Sequence, residues 1–229
     1  MIVAIHQPNY LPWLGYFHKM KKADGFIFLD NVQIPGKGLS NRNYIKGKDG
    51  AKVMLSVPLN KSKGVLSNYL EAIPDYSKKW QFTHLNKIKD AYIKAPFFEE
   101  IFPLIEQSIL NTHEHLCALN VSLILSISKA LDINTKIYFA SSLLDKALTK
   151  NERNLDLCKQ LNATIYLSGQ GAKKYNDEAL FLNQQINIHY QAFVLPPYTQ
   201  VSDHFMPNLS VLDTLFNLGI EETKRIIET

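Results

Sequence analysis

The chain opens with five residues free of polar side chains, MIVAI, and then breaks at once into His6, Gln7, Pro8, Asn9 and Tyr10. Residues 2–6 are β-branched and apolar on both faces, which predicts a strand buried in a parallel sheet. Apolar or aromatic groups at 14, 17 and 20 have helical spacing and predict a helix over 14–22. The run GFIFL at 25–29 predicts the next strand, with Asp30 at its C-terminal end. Strand, helix and strand within about thirty residues make a βαβ unit, whose crossover is expected to be right-handed.

Residues 31–50 are polar, with four glycines and one proline. Loops this long are uncommon inside compact domains and usually functional. Part of this loop is expected to pair as a ribbon with 52–57, where apolar and polar residues alternate. Residues 59–75 read as loop-rich. Ser77 is expected to cap a helix over 78–94 that carries Trp80, His84, Leu85 and Ile88 on one face. Pro96 stops it, and two further helices fit 97–110 and 112–131, the second nearly all apolar. The α/β pattern then returns: a strand at 136–140, a helix at 151–161, a strand at 164–167, a helix at 177–184 and a strand at 186–190. The expected fold is a single α/β domain over 1–229. It has a mostly parallel open sheet of Rossmann-like, nucleotidyltransferase-like type, with a loop-rich and helical insertion over about 59–131.

Composition narrows the partners. The 229 residues are 46% hydrophobic and 20% charged, an ordinary globular mixture. The net charge of +4 comes from scattered lysines, so no basic block marks a nucleic-acid groove, whereas an anionic small ligand fits. Cys117 and Cys158 lie in helical patterns without a CxxC and read as buried apolar groups of a reducing compartment. The N-terminal apolar run stops after five residues with no basic region before it, so it is not expected to be a signal peptide. No apolar stretch reaches the roughly 20 residues of a membrane span. The expectation is a cytoplasmic protein without membrane insertion. His113 and His115 flank Glu114 on opposite sides of any helix, and no metal or cofactor is required by the sequence.

Five segments carry candidate chemistry. At the first, Trp13-Leu14-Gly15-Tyr16 resembles the place of His-x-Gly-His in the HxGH nucleotidyltransferase superfamily, with a strand before it and an apolar helix behind. The glycine is kept and both histidines are absent, so the likeness implies the fold more than the chemistry. His6 and His18 are the local histidines, and His6 is the leading general base. Gly15 would give a nucleotide backbone approach, Tyr10 or Trp13 would stack on a base or sugar, and Gln7, Asn9 and Asp30 complete the polar set. At the second, Arg42 between Asn41 and Asn43 is placed to clamp a carboxylate or phosphate. At the third, Trp80 and His84 share a helix face. They read either as a core tryptophan with a hydrogen-bonded histidine or as a site with His84 catalytic. At the fourth, Ser168-Gly169-Gln170-Gly171 closes a strand with a turn whose amides suit an anion, with Lys173 adding charge. At the fifth, the loop with Tyr198, Gln200, Asp203 and His204 is suited to reading a polar ligand, with His204 a further catalytic candidate.

Taken together, HQPNYLPWLGYFHKM (6–20), DNVQ (30–33), KAPFFEE (94–100), YLSGQGAKKY (166–175) and LSVLDTLFNLG (209–219) resemble the WbqC-like protein family from end to end. The resemblance implies work in bacterial surface-polysaccharide biosynthesis, such as that of O-antigen. It also implies modification of a nucleotide-linked sugar, such as an amino sugar. The residues above extend this to a transferase, by acyl or aminoacyl transfer from a second substrate with His6 as base, or by nucleotidyl-type chemistry. The other class that fits is a non-catalytic module that binds a sugar nucleotide or a partner enzyme.

Overall fold

In the computed structural model, residues 1–36, 38–60, 68–144, 148, 150–202 and 204–229 are described. Five strands form one parallel sheet: β1 (Ile2–His6), β2 (Gly25–Phe28), β5 (Lys136–Phe139), β6 (Ile165–Ser168) and β7 (Asn187–Tyr190). Their order is β5-β2-β1-β6-β7, and every neighbouring pair is parallel. The chain therefore winds outward from β1 through β2 to β5, then returns to the other side of β1 and winds outward again. That reversal between β1 and β6 is the switch point of a doubly wound, Rossmann-like sheet. A second, antiparallel ribbon pairs β3 (Arg42–Lys46) with β4 (Lys52–Ser56), joining the glycine-rich loop to the 52–57 segment as expected.

Strand alternation divides the core into two faces. Ala4, Phe26 and Phe28 pack with α1 (Leu14–Lys21), α2 (Trp80–Tyr92), α3 (Phe98–Leu110), α4 (Leu116–Ala130) and α8 (Val211–Glu228). Val3, Ile5, Ile27 and Tyr166 face the opposite way, towards α6 (Lys150–Gln160) and α7 (Glu178–Leu182). The expectation of a loop-rich stretch over 59–75 falls partly on 61–67, outside the described residues.

Three local expectations shift, and one element is new. Ser77 does not cap α2: its hydroxyl donates to Asp75, which caps a 3-10 turn at Tyr76–Lys78, and Lys79 with φ 50° separates that turn from the helix. The helix expected from 112 begins at Leu116, because His115 accepts the Ala118 amide and fixes the start there. β5 runs straight into a short helix, α5 (Ala140–Leu143), where the two serines read as a strand end. The last long helix, α8, is an element that the sequence pattern left unassigned. It is bent at Gly219, where φ is 75°.

The bend matters because α8 packs along α1, the helix that carries the N-terminal motif. A Cβ at Gly219 would approach the Phe97 ring to 2.6 Å, and φ is in the left-handed region, so both sterics and backbone demand glycine. Gly219→Ala is expected to lower stability by roughly 1–3 kcal/mol. Urea unfolding followed by circular dichroism measures it, and an unshifted midpoint would mean that the bend relaxes freely.

Candidate functional site

The site is set by how far each strand pair runs. β1 pairs with β2 through His6, but with β6 only through Ala4. Beyond Ala4, β1 and β6 part, and the Ile5 carbonyl accepts the Nζ of Lys19 at 3.0 Å instead of a strand amide. Lys19 lies in the last turn of α1, is 3% exposed, and burial pushes its ammonium down to about 7.

His6 stands next to it. Its Nδ1 donates to the Gln7 carbonyl at 3.0 Å, because a carbonyl only accepts, which leaves Nε2 as the unprotonated nitrogen. Burial first, and the nearby charge of Lys19 second, push the His6 imidazole down to about 3. His6 is therefore neutral at physiological pH, held edge-on to the Tyr16 ring at 4.7 Å.

Two concave arms open from this point, and His6, Lys19, Gly169 and Gly171 line both. One arm, of about 250 Å³, runs along the start of α1 and is walled by Trp13, Tyr16 and Phe193. Its wall is fixed by Gln191, whose amide donates to the Gly15 carbonyl at 2.7 Å and to His18 Nδ1 at 2.8 Å. Phe193 then stacks on His18 at 4.5 Å and leans on Trp13 at 5.7 Å. The other arm, of about 410 Å³, faces the first turn of α6 and holds Lys150, Asn151, Arg153, Asn154 and Asn176. Among the described residues no carboxylate lines either arm. Lys19, Lys150 and Arg153 with the amides of a glycine turn make this an anion-attracting crevice in a low-dielectric setting.

Of the residues expected from sequence, His6, Gln7, Trp13, Gly15, Ser168 and Gly169 line this crevice. Ser168 is buried and accepts from Asn176 Nδ2 at 3.0 Å. The space over Gly15, expected to admit a nucleotide, is filled by the chain itself: a Cβ there would lie 2.2 Å from the Trp13 indole. The glycine lets Trp13 fold back over α1. Asn9 is half-buried in the turn and lines neither arm.

The remaining candidates lie elsewhere. Tyr10, Trp80 and His84 form a buried cluster: Tyr10 donates its hydroxyl to His84 Nδ1 at 2.9 Å, and His84 Nε2 donates to the Ser56 carbonyl at 3.2 Å. Both nitrogens of His84 are used, it is 2% exposed, and Trp80 packs edge-on to it at 5.1 Å. This is the core reading of that pair, with α2 pinned on the ribbon. Asp30 accepts from both the amide and the hydroxyl of Ser141 and so caps α5. Arg42 starts β3 with a shielded, unpartnered Nε and is absent from the crevice. Lys173 is exposed over the Tyr190 ring at 5.6 Å.

Tyr198, Gln200 and His204 belong to a loop held by buried charges. Lys46 Nζ donates to Gln200 Oε1 at 3.1 Å and to the carbonyls of Ser202 and His204. Gln200 Nε2 and the Tyr198 hydroxyl each donate to Asp213 Oδ2 at 2.6 Å. Gln200 thus bridges a buried ammonium and a buried carboxylate. Asp203 lies outside the described residues.

Sequence reasoning passed over Lys19, Arg153, Asn154, Gln191 and Phe193. Lys19 reads as a solvated lysine at a helix end, and nothing in the local pattern tells that its amine folds inward onto the Ile5 carbonyl. Gln191 and Phe193 did carry a signal, since they follow directly on a parallel strand, on the side where ligands bind.

The depressed imidazoles make stability pH-dependent. His84 and His18 are each pushed down from 6.5 to about 4, chiefly by burial, so the unfolded chain binds protons that the folded chain refuses. Stability from these groups is complete above pH 6.5 and drains away as pH falls towards 4. The slope is up to about 1.4 kcal/mol per pH unit for each imidazole. Urea titrations at several pH values should show it, with a shallower slope in His84→Gln. An identical slope in that variant would mean that His84 ionises normally in the fold.

No described helix is long and apolar enough to cross a membrane. The WbqC-like protein family model matches residues 7–225. A relative from Mycobacterium tuberculosis (strain ATCC 25618 / H37Rv), the uncharacterized protein Rv1507c, is 34% identical over 223 residues, covering 96% of this chain and 94% of the relative. No solved structure matches the chain, and nothing in these comparisons carries the nucleotidyltransferase likeness of the first turn. Across nearly its whole length, the chain belongs to the WbqC-like protein family.

Proposed function

We propose that this protein is a transferase that modifies a nucleotide-linked amino sugar in the switch-point crevice, within bacterial surface-polysaccharide biosynthesis. The observation that carries the reading is the pairing of a cationic crevice, free of carboxylates among its described residues, with a buried lysine amine beside a neutral imidazole. A diphosphate is the common anionic handle of activated sugars, and such a crevice attracts it. The amine of the bound sugar attacks the carbonyl carbon of an activated acyl or aminoacyl donor. The C–N bond forms, and the donor's leaving group departs with its bonding electrons. The amine's proton passes to a base in the crevice. Lys19 in its neutral form has basicity matched to neutral pH, and His6 offers the lone pair of Nε2 as a second acceptor.

Mass spectrometry of nucleotide-linked amino sugars incubated with acyl and aminoacyl donors tests this. Turnover is expected to rise with pH through about 7, as Lys19 loses its proton. Lys19→Met is expected to lose roughly a hundredfold or more in rate, as removal of a general base does, and His6→Ala less, since burial and Lys19 make its imidazole a weak base. Tight sugar-nucleotide binding with no turnover across a broad donor panel would make the protein a binding module instead.

A further inference from the structure

The two arms of the crevice differ in chemistry, and the difference sorts the ends of a ligand. The arm against α6 is cationic. Arg153 lines it with a shielded Nε that has no hydrogen-bond partner, a donor that is costly to leave unpaired unless an acceptor completes it. Gly169 and Gly171 have open space where a Cβ would stand, so an anion can approach their backbone closely. The arm along α1 adds no charge beyond the shared Lys19. Gln191 bonds the Gly15 carbonyl and His18, and Phe193 stacks on that His18 and leans on Trp13, so the aromatic wall is preset. A preset aromatic wall takes the C–H face of a ring and has nothing to offer a phosphate.

Resting on the function proposed above, we infer that one ligand spans both arms. Its diphosphate sits against Arg153, Lys150 and the glycine turn, and its sugar ring lies on Phe193 and Trp13. The join between them falls beside Lys19 and His6, the side chains that both arms share. Arg153 is then the anion hook of the site, and Phe193 sets which ring is accepted.

Calorimetry with two kinds of probe separates the arms: inorganic pyrophosphate, and a panel of uridine- and thymidine-diphosphate sugars. Arg153→Gln should weaken both kinds by about tenfold or more, as the loss of a charged hydrogen-bond donor does. Phe193→Ala should weaken the sugar nucleotides by about fivefold or more while pyrophosphate stays within about twofold. Lys150→Ala and Trp13→Phe repeat the comparison should either first variant fail to fold. Spanning is overturned if Phe193→Ala weakens pyrophosphate as much as the sugar nucleotides, or if Arg153→Gln leaves pyrophosphate unchanged. Wild-type protein that binds pyrophosphate and no member of the panel overturns the sugar-nucleotide reading itself, and the spanning ligand with it.

Discussion

The parting of β1 from β6 is the constraint on which the rest depends. Parallel strands in a doubly wound sheet must diverge where the winding reverses, and a backbone carbonyl at that point loses its ladder partner. Here the carbonyl is that of Ile5, and the Lys19 ammonium takes it. To reach it, Lys19 is buried against the end of β1. α8 packs along α1, and the segment after β7 that carries Gln191 and Phe193 binds Gly15 and His18 of the same helix. Backbone geometry in the sheet thus dictates where the buried charge sits, and the charge sets the state of the histidine beside it.

Two buried lysines illustrate different solutions to one physical problem. Lys46 is enclosed by a glutamine and two carbonyls, and Gln200 relays it to Asp213, so its donors are spent on holding the 198–206 loop. Such a charge is structural, since losing either partner strands the other. Lys19 has one carbonyl and a cavity. Its unspent donors face the place where the crevice forks, and burial has made its proton easy to remove. The two amines differ in what remains unsatisfied around each.

The histidines divide along the same line. His84 has a donor and an acceptor on its two nitrogens and links α2 to the ribbon. His18 accepts from Gln191 and stacks on Phe193, which makes it part of the wall of the aromatic arm. Only His6, at the end of β1, combines a fixed tautomer with a place in the crevice. Trp80 and His84 share a helix face at spacing i, i+4, and that spacing is equally good for a core and for a site. Only the partners tell which it is.

By itself the sequence determined the α/β alternation, the parallel sheet, the ribbon, the family and the strand ends at which the site lies. These follow from periodicity and from glycine, proline and short polar residues at strand ends, all local properties of the chain. Within the site it marked His6, Trp13 and the Ser168-Gly169 turn, because they sit at those ends. The tertiary structure decided what locality cannot: that Lys19 is buried, that Arg153 and Asn154 line the same crevice, and that the Trp13 ring occupies the space above Gly15. It also separated Arg42, His84 and His204 from His6. Burial and partner choice depend on elements more than a hundred residues away in the chain, such as α8 over α1 and Gln191 over Gly15. No pattern read within one segment contains that information.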